Sequence, residues 1–346
     1  MDRKKFLAAA GAVFGGVMLP IKTITASSSD AAELKQPPFL RRGDCVGITS
    51  PAGFINAQEL KPAIDVIKSW GYKVKLGSAI GRRDFTRGGT DAERAADLQR
   101  MLDDPSINAI MCARGGYGSI RIVDRLDWKR FMLKPKWLIG FSDVTVLHSH
   151  IHAKCKVASI HSKMCNSFPD DWTKAEPIQV QTINSIRDAL SGKPMQYTAK
   201  PGAANRKGTC EGVLIGGNLR LLETLAGSAS DIKTSGKILF VEDTGEYLYS
   251  IDRMFWNLKR TGKLENLSGL IVGGFNVKPD DEGEEFGRTL EEIVLEKVQE
   301  YRYPVCFDFP VGHQRANFAL KCGVKHVLNV SSEEVLLKDN ESFTRR

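Results

Sequence analysis

The sequence predicts an α/β protein built on a parallel sheet, and three observations carry that prediction. Short apolar runs alternate with amphipathic segments through residues 44–162. The runs are continuously apolar rather than alternating in polarity, as strands covered on both faces require. A second block with the same alternation follows a proline-punctuated stretch. The length, 346 residues, is about two domains' worth of chain. With 42% hydrophobic and 26% charged residues, disordered, collagen-like and rod-like chains are excluded.

In order along the chain, DCVGITSP (44–51) reads as a strand ending in a Ser-Pro turn. Leu60, Ile64 and Ile67 recur at helical spacing, and YKVKLG (72–77) is a second strand. Thr90–Asp104 is a helix with Ala95, Leu98 and Leu102 on one face and a capping box of Thr90 with Glu93. INAIMCA (107–113) is a strand that runs into RGGYG, and Ser119–Leu126 reads as a helix. KWLIGF (136–141) is the next strand, Ser142 and Asp143 cap a helix, and KVASIHS (156–162) is another strand. From about Ser167 to Lys207, Pro169, Pro177, Pro194 and Pro201 mark a linker with one helical pattern, Ile178–Leu190. The second block runs CEGVLIGG, a helix from Asn218 to about Ala226, strand KILFVED (237–243), and a helix with Ile251, Met254, Phe255 and Leu258 on one face. Strand GLIVGGF (269–275), helix Arg288–Tyr301 and short β segments around 305–310, 324–330 and 333–338 close it. The expected organisation is a leader over 1–31, a first domain over 36–168, a linker or crossover over 169–207 and a second domain over 208–342.

The leader reads as a secretory signal peptide. Arg3, Lys4 and Lys5 precede an apolar stretch from Phe6 to Ile21, and the polar segment TITASSSDAA follows, with Ala26 or Ala31 as the last residue removed. Export to the periplasm is the expectation, with a membrane-anchored leader or a cytoplasmic location as alternatives. The formal net charge is +8, of which the leader contributes +2 through Arg3, Lys4, Lys5 and Lys22 against Asp2 and Asp30. The basic residues are scattered and not interleaved with aromatics, which argues against nucleic-acid binding. Seven cysteines, none at CxxC spacing, give no support to a zinc ribbon or a thioredoxin-like centre. Cys45, Cys112 and Cys306 lie in strand-like runs where buried thiols are common.

The segment Arg114-Gly115-Gly116-Tyr117-Gly118-Ser119 carries the most chemistry. Three glycines in four residues let the backbone approach a ligand closely. A dinucleotide turn lacks its third glycine, where Arg121 stands. A nucleophile turn would expose the Ser119 hydroxyl at a helix N-terminus, although the G-x-S-x-G elbow does not match. A plain serine-capped glycine turn is the bland alternative. Among six histidines, His148 and His152 sit four apart on a helix, but Ser149 replaces the glutamate of H-E-x-x-H, so the pair reads as a helix-surface feature. His326 reads as structural. His313 lies in PVGHQRAN, a loop just past a strand, where functional residues concentrate. Glu242 and Asp243 end the KILFVED strand, where a carboxylate either orients a base or, as suits Asp243, caps the next helix.

RGGYGS, LFVED with its Y-x-x-D-R helix (Tyr249, Asp252, Arg253), and G-H-x-x-x-N together resemble the LD-carboxypeptidases, the serine peptidases related to muramoyl-tetrapeptide carboxypeptidase and to the microcin C self-immunity peptidase. GDCVGITSPAG, WLIGFSDVTVLH and GVLIGGNLRLLETLAG extend the likeness over nearly all of residues 40–330, in family order. The resemblance implies a Rossmann-like parallel-sheet N-terminal domain, a smaller α/β C-terminal domain and an active site in the cleft between them. It implies a triad in which Ser119 is the nucleophile, His313 the base and Glu242 the residue that orients the imidazole. It also implies cleavage of the amide between an L-centre and a terminal D-amino acid of murein peptides, with no metal or organic cofactor.

Backbone amides near Gly116 and Ile120 are the expected oxyanion donors, and Arg114 is the candidate for the substrate carboxylate. The expected partner is a murein tetrapeptide or a related D-amino-acid-terminated peptide, with no nucleic acid and a homodimer left open. An amidase of peptidyl- or aminoacyl-nucleotides and a non-catalytic wall-peptide binder are the alternative readings. One departure concerns the nearby pocket: His161-Ser162-Lys163-Met164 stands where the family often has His-Gly-Pro-Met.

Overall fold

The structure, a computed structural model, describes residues 34–339, so the leader reading falls outside the described residues. Its strands form two sheets with helices packed on them, the α/β class expected.

The first sheet begins with β1 (Cys45–Thr49), α1 (Lys61–Ser69), β2 (Lys73–Leu76), α2 (Asp91–Asp103) and β3 (Ala109–Cys112). After α3 (Lys129–Leu133) come β4 (Trp137–Gly140), α4 (Thr145–His150) and β5 (Ser159–His161). Strands β1 to β5 pair in parallel in the order β5-β4-β3-β1-β2, the Rossmann-like arrangement. Along β3, Ala109 and Met111 join one core while Ile110 and Cys112 join the other, which is why the run shows no polar face. The Thr90–Glu93 capping box starts α2 as anticipated.

Helix α5 (Pro177–Leu190) follows, and it buries Ile183, Ile186, Ala189 and Leu190 in the same core as β1. Next come β6 (Gln196–Ala199), β7 (Gly208–Asn218), α6 (Leu219–Thr224), β8 (Lys237–Glu246), α7 (Leu248–Arg260) and β9 (Gly269–Val277). Helix α8 (Leu290–Lys297), β10 (Val305–Cys306), β11 (Leu320–Cys322), β12 (Lys325–Val330) and β13 (Val335–Asp339) complete the described chain. The second sheet runs β10-β9-β8-β7-β12-β13-β6, parallel from β10 to β7 and antiparallel beyond. Ile251, Met254, Phe255 and Leu258 bury the inner face of α7, as their spacing requires.

Strand β11 leaves the second block and pairs antiparallel with β5, Leu320 opposite His161, so it extends the first sheet. Three residues bounded by a loop and Gly323 give too short a pattern to read from sequence. The seven cysteines are free thiols, and Cys112, Cys155, Cys165, Cys306 and Cys322 are buried. Among the described residues no helix is long and apolar enough to cross a membrane.

Candidate active site

Glu242 lies near the carboxyl end of β8, opposite Asn218 of β7. The pairing of β8 with β9 shifts register between Val241 and Asp243, and such a bulge re-aims the side chain within it. Glu242 is fully buried. Its Oε2 accepts from His313 Nδ1 at 2.5 Å. His313 is held there by its own loop: the Gly312 amide donates to Asn317 Oδ1 at 3.0 Å, and Gln314 Nε2 donates to the Phe309 carbonyl at 2.7 Å. Gly312 has φ +102°, and a Cβ on it would stand 2.4 Å from Glu242 Cβ, so only glycine brings the loop this close. The ring of Phe141 packs at 4.9 Å from the imidazole. Burial works against the charged imidazole, but the hydrogen bond and charge of Glu242, helped by Asp243, outweigh it and raise the His313 pKa above its ordinary value. With a carboxylate on Nδ1, that nitrogen carries the proton and Nε2 is free to accept.

The first sheet supplies the facing groups. After β3 the chain turns through Gly116 at φ +102° and Gly118 at φ +140° into Ser119. The Gly118 carbonyl accepts from Arg94 Nη1 at 2.9 Å, and the Ser119 amide donates to Asp143 Oδ2 at 2.8 Å. Arg94 is itself fully buried and also donates to the Pro51 carbonyl and to Asp91, tying the glycine turn to α2 and to the loop after β1. Burial raises the Asp143 pKa, against the pull of the hydrogen bonds from Ser119. Ser119 is completely buried, with its hydroxyl beside the Asp143 carboxylate, to which it makes no well-aligned hydrogen bond. The group that meets His313 Nε2 is Ser142 Oγ, at 3.1 Å. Ser142 sits just past β4 with φ +61°, a left-handed conformation rare for a residue other than glycine.

The structure thus brings Glu242 and His313 together and sets Ser142, not Ser119, against the imidazole. Gly116 is exposed and Ile120 half-buried beside Ser119, while Arg114 is exposed with Nη1 3.2 Å from the Phe54 carbonyl. Several local expectations need correction. Ser119–Leu126 forms two short 3-10 turns, Ser119–Arg121 and Val123–Arg125, broken at Ile122 in a run where β-branched Ile120, Ile122 and Val123 disfavour a continuous α-helix. The Ser119 hydroxyl is accordingly not exposed at a helix N-terminus. Asp143 does not cap α4; it clamps the glycine turn. Asp243 caps not the helix after it but α6, accepting from the Arg220 amide at 2.9 Å, and burial pushes its pKa up to about 6. His148 and His152 are buried rather than on a helix surface, and His148 bonds Ser159 Oγ and the Gly140 carbonyl. His326 is buried against the Val324 carbonyl, the structural role expected.

Ser142, Asp143 and Arg94 were the residues that motif reading missed for this site. Arg94 had a signal: it stands four residues before Leu98, on the apolar stripe of α2. A cavity of about 760 Å³ bounded by Arg42, Asp65, Trp70, Tyr72 and Trp172 belongs to the opposite, amino-terminal edge of the first sheet. Among the described residues no group of three or more His, Cys, Asp or Glu is placed to hold a metal ion.

Two sheets that meet at a carboxylate-bound histidine with a serine hydroxyl on its other nitrogen have the architecture of a serine hydrolase. Residues 46–162 match the LD-carboxypeptidase N-terminal domain, and residues 211–328 match the LD-carboxypeptidase C-terminal domain. The probable murein peptide carboxypeptidase of Bacillus subtilis (strain 168) is 32% identical over 306 residues, covering 88% of this chain and 94% of that protein. The murein tetrapeptide carboxypeptidase of Pseudomonas aeruginosa is 30% identical over 292 residues, covering 82% and 92%. Among solved structures, muramoyltetrapeptide carboxypeptidase from Oxalobacter formigenes aligns with a TM-score of 0.72 at 26% identity, over 86% of this chain and 99% of that one. The microcin C7 self-immunity protein MccF in complex with aspartyl sulfamoyl adenosine aligns with a TM-score of 0.77 at 25% identity, over 89% and 98%. The chain belongs to the LD-carboxypeptidase family.

Proposed function

We propose that this protein is an exported serine LD-carboxypeptidase that cuts the amide between the L-centre and the terminal D-alanine of murein tetrapeptides. The observation that supports it most is the Glu242–His313 pair, a base oriented by a buried carboxylate with Nε2 on a serine hydroxyl, that of Ser142. In this reading Ser119 Oγ attacks the carbonyl carbon while His313 Nε2 takes its proton. His313 then gives that proton to the departing D-alanine amine, and water, activated by the same imidazole, frees Ser119. Backbone amides near Gly116 and Ile120 take the oxyanion. Ser142 Oγ is the hydroxyl on Nε2, so in this reading Ser119 Oγ takes the place of Ser142 Oγ during catalysis. The export reading rests on the basic, apolar and small-residue order of residues 1–31.

The contact of Ser142 with Nε2, together with its φ of +61°, favours a second reading in which Ser142 is the nucleophile. Mass spectrometry of purified muropeptides after exposure to the protein tests both. The expected result is loss of one alanine from tetrapeptides, with tripeptides and pentapeptides untouched. Ser119→Ala should lower turnover by roughly 10³-fold or more, and Ser142→Ala by no more than about tenfold. The reverse order assigns the nucleophile to Ser142. Cleavage of an aminoacyl sulfamoyl adenosine in place of the tetrapeptide would move the substrate to the nucleotide amides.

A further inference from the structure

Phe85 stands at the tip of a hairpin beside the glycine turn. Asp84 and Arg87 exchange amide–carbonyl hydrogen bonds, each at 3.0 Å, so Phe85 and Thr86 form a two-residue loop. At Phe85 φ is +54°, a left-handed value that such loops normally give to glycine or asparagine. A bulky side chain held there costs free energy. The Phe85 ring is 81% exposed, so packing within the protein does not offset that cost.

Hydrogen bonds connect this hairpin to the site. The Phe54 amide donates to the Thr86 carbonyl at 2.9 Å, and the Gly53 amide donates to the Gly115 carbonyl at 2.8 Å. A Cβ on Gly115 would stand 3.2 Å from the Cβ of Ser142, the serine that touches His313. Two exposed guanidiniums converge on Phe54. Arg83 lies over its ring at 5.1 Å and donates from Nε to the Phe85 carbonyl at 2.8 Å. Arg114 donates from Nη1 to the Phe54 carbonyl at 3.2 Å. The other arginines within 82–94 and 114–125 are Arg82, Arg87, Arg94, Arg121 and Arg125, and each pairs with Glu93, Asp84 or Asp91. Among the described residues neither Arg83 nor Arg114 pairs with a carboxylate.

We infer that Phe54, Phe85, Arg83 and Arg114 form a subsite for a carboxylate-bearing stretch of the peptide substrate ahead of the scissile amide. The rings take its apolar surface. The two guanidiniums take its carboxylate, which their planar forks suit. Gly53 and Gly115 are neighbours at a strand spacing of about 5 Å, and Phe54 is one residue further on, so the subsite lies roughly 10 Å from Ser142. That is about three residues of extended peptide, too far for the carboxylate of the departing terminal residue. The inference rests on the carboxypeptidase reading for the identity of the peptide, and on the strained exposed ring and the two guanidiniums for the existence of the subsite.

The test uses a murein tetrapeptide whose free carboxylates ahead of the scissile amide are either intact or converted to carboxamides. Binding is measured by calorimetry in the slow Glu242→Gln background, and cleavage by D-alanine release. Each is measured with the subsite unaltered and with Arg83→Met, Arg83→Lys or Phe85→Asn. With the subsite unaltered, the acid should bind about three- to tenfold more tightly than the amide, and salt should shrink the difference, as for a partly exposed ion pair. Arg83→Met should bring that ratio close to one, chiefly through KM, and Arg83→Lys should restore part of it. Phe85→Asn should melt above wild type, since asparagine accepts a left-handed φ, yet raise KM for both peptides. An unchanged ratio in Arg83→Met overturns the carboxylate assignment, and a lowered melting temperature beside it marks Arg83 as a strut for Phe54. An unchanged KM in Phe85→Asn removes the ring from the subsite. Preference for the acid without D-alanine release sinks the hydrolytic reading and leaves the subsite standing. Release without that preference does the reverse, and binding of neither peptide overturns both.

Discussion

The two sheets contribute unlike halves to one site. On the second sheet, Glu242 and His313 are bonded to each other, and the loop that carries the histidine is closed by Asn317 and Gln314. On the first sheet the backbone is equally fixed, through Arg94 and Asp143, but Ser119 Oγ makes no well-aligned hydrogen bond, and it is Ser142 that holds the imidazole. On the proposed reading the base is already paired with its carboxylate, and Ser119 and Ser142 are the two candidate hydroxyls for Nε2. Preorganising the acid–base pair avoids reorganisation during reaction.

The largest expected effect breaks the second-sheet half. Glu242→Gln removes the charge that holds the proton on Nδ1, and turnover should fall by roughly 10³- to 10⁴-fold in assays of D-alanine release. Gly312→Ala attacks the same half through the backbone. Its Cβ meets Glu242 Cβ at 2.4 Å and φ is +102°, so the variant should lose about 1–3 kcal/mol by chemical denaturation together with most of its activity. Gly245, also at positive φ (+77°) but with open space around it, is the control; Gly245→Ala should cost about 1 kcal/mol and leave activity intact.

On the first-sheet half, Asp143→Ala strands the buried Ser119 amide, and about 1–3 kcal/mol of stability should be lost. Activity should fall as the glycine turn loosens. The smallest effect is on pH. His313 must be neutral to act as base, and its pKa is raised, so the acid limb of kcat/KM should have its midpoint above 6.5. Stability should run the other way. The contribution of this pair is complete below the ordinary value of 6.5 and is lost as pH rises through the folded value. Activity and melting temperature should therefore change in opposite directions across that window, and in Glu242→Gln the residual acid limb should move down.

Much of this was legible in the chain, for local reasons. The capping box of Thr90 and Glu93, the buried stripe of α7 and the unbroken apolar runs of β3, β4 and β8 each express a short-range rule, and each stands where it was placed. Asp143 and Asp243 show where such rules stop. Asp143 lies two residues ahead of α4 and Asp243 inside β8, five residues ahead of α7, yet each spends its carboxylate on an amide some twenty residues back in the chain, Ser119 or Arg220. Strand β11 was illegible for a related reason: its partner β5 lies in the other block, and three residues carry no periodicity of their own.

The sequence by itself determined the parallel α/β class, the order of most elements and, through its family motifs, the candidates Ser119, Glu242 and His313. Those follow from periodicity, capping and residue type, which act over a few positions. Only the tertiary structure decided which hydroxyl rests on His313 and which carboxylate reaches which helix start. Such pairings depend on the packing of segments far apart in the chain, where burial and distance, rather than neighbouring residues, set the energy of each polar group.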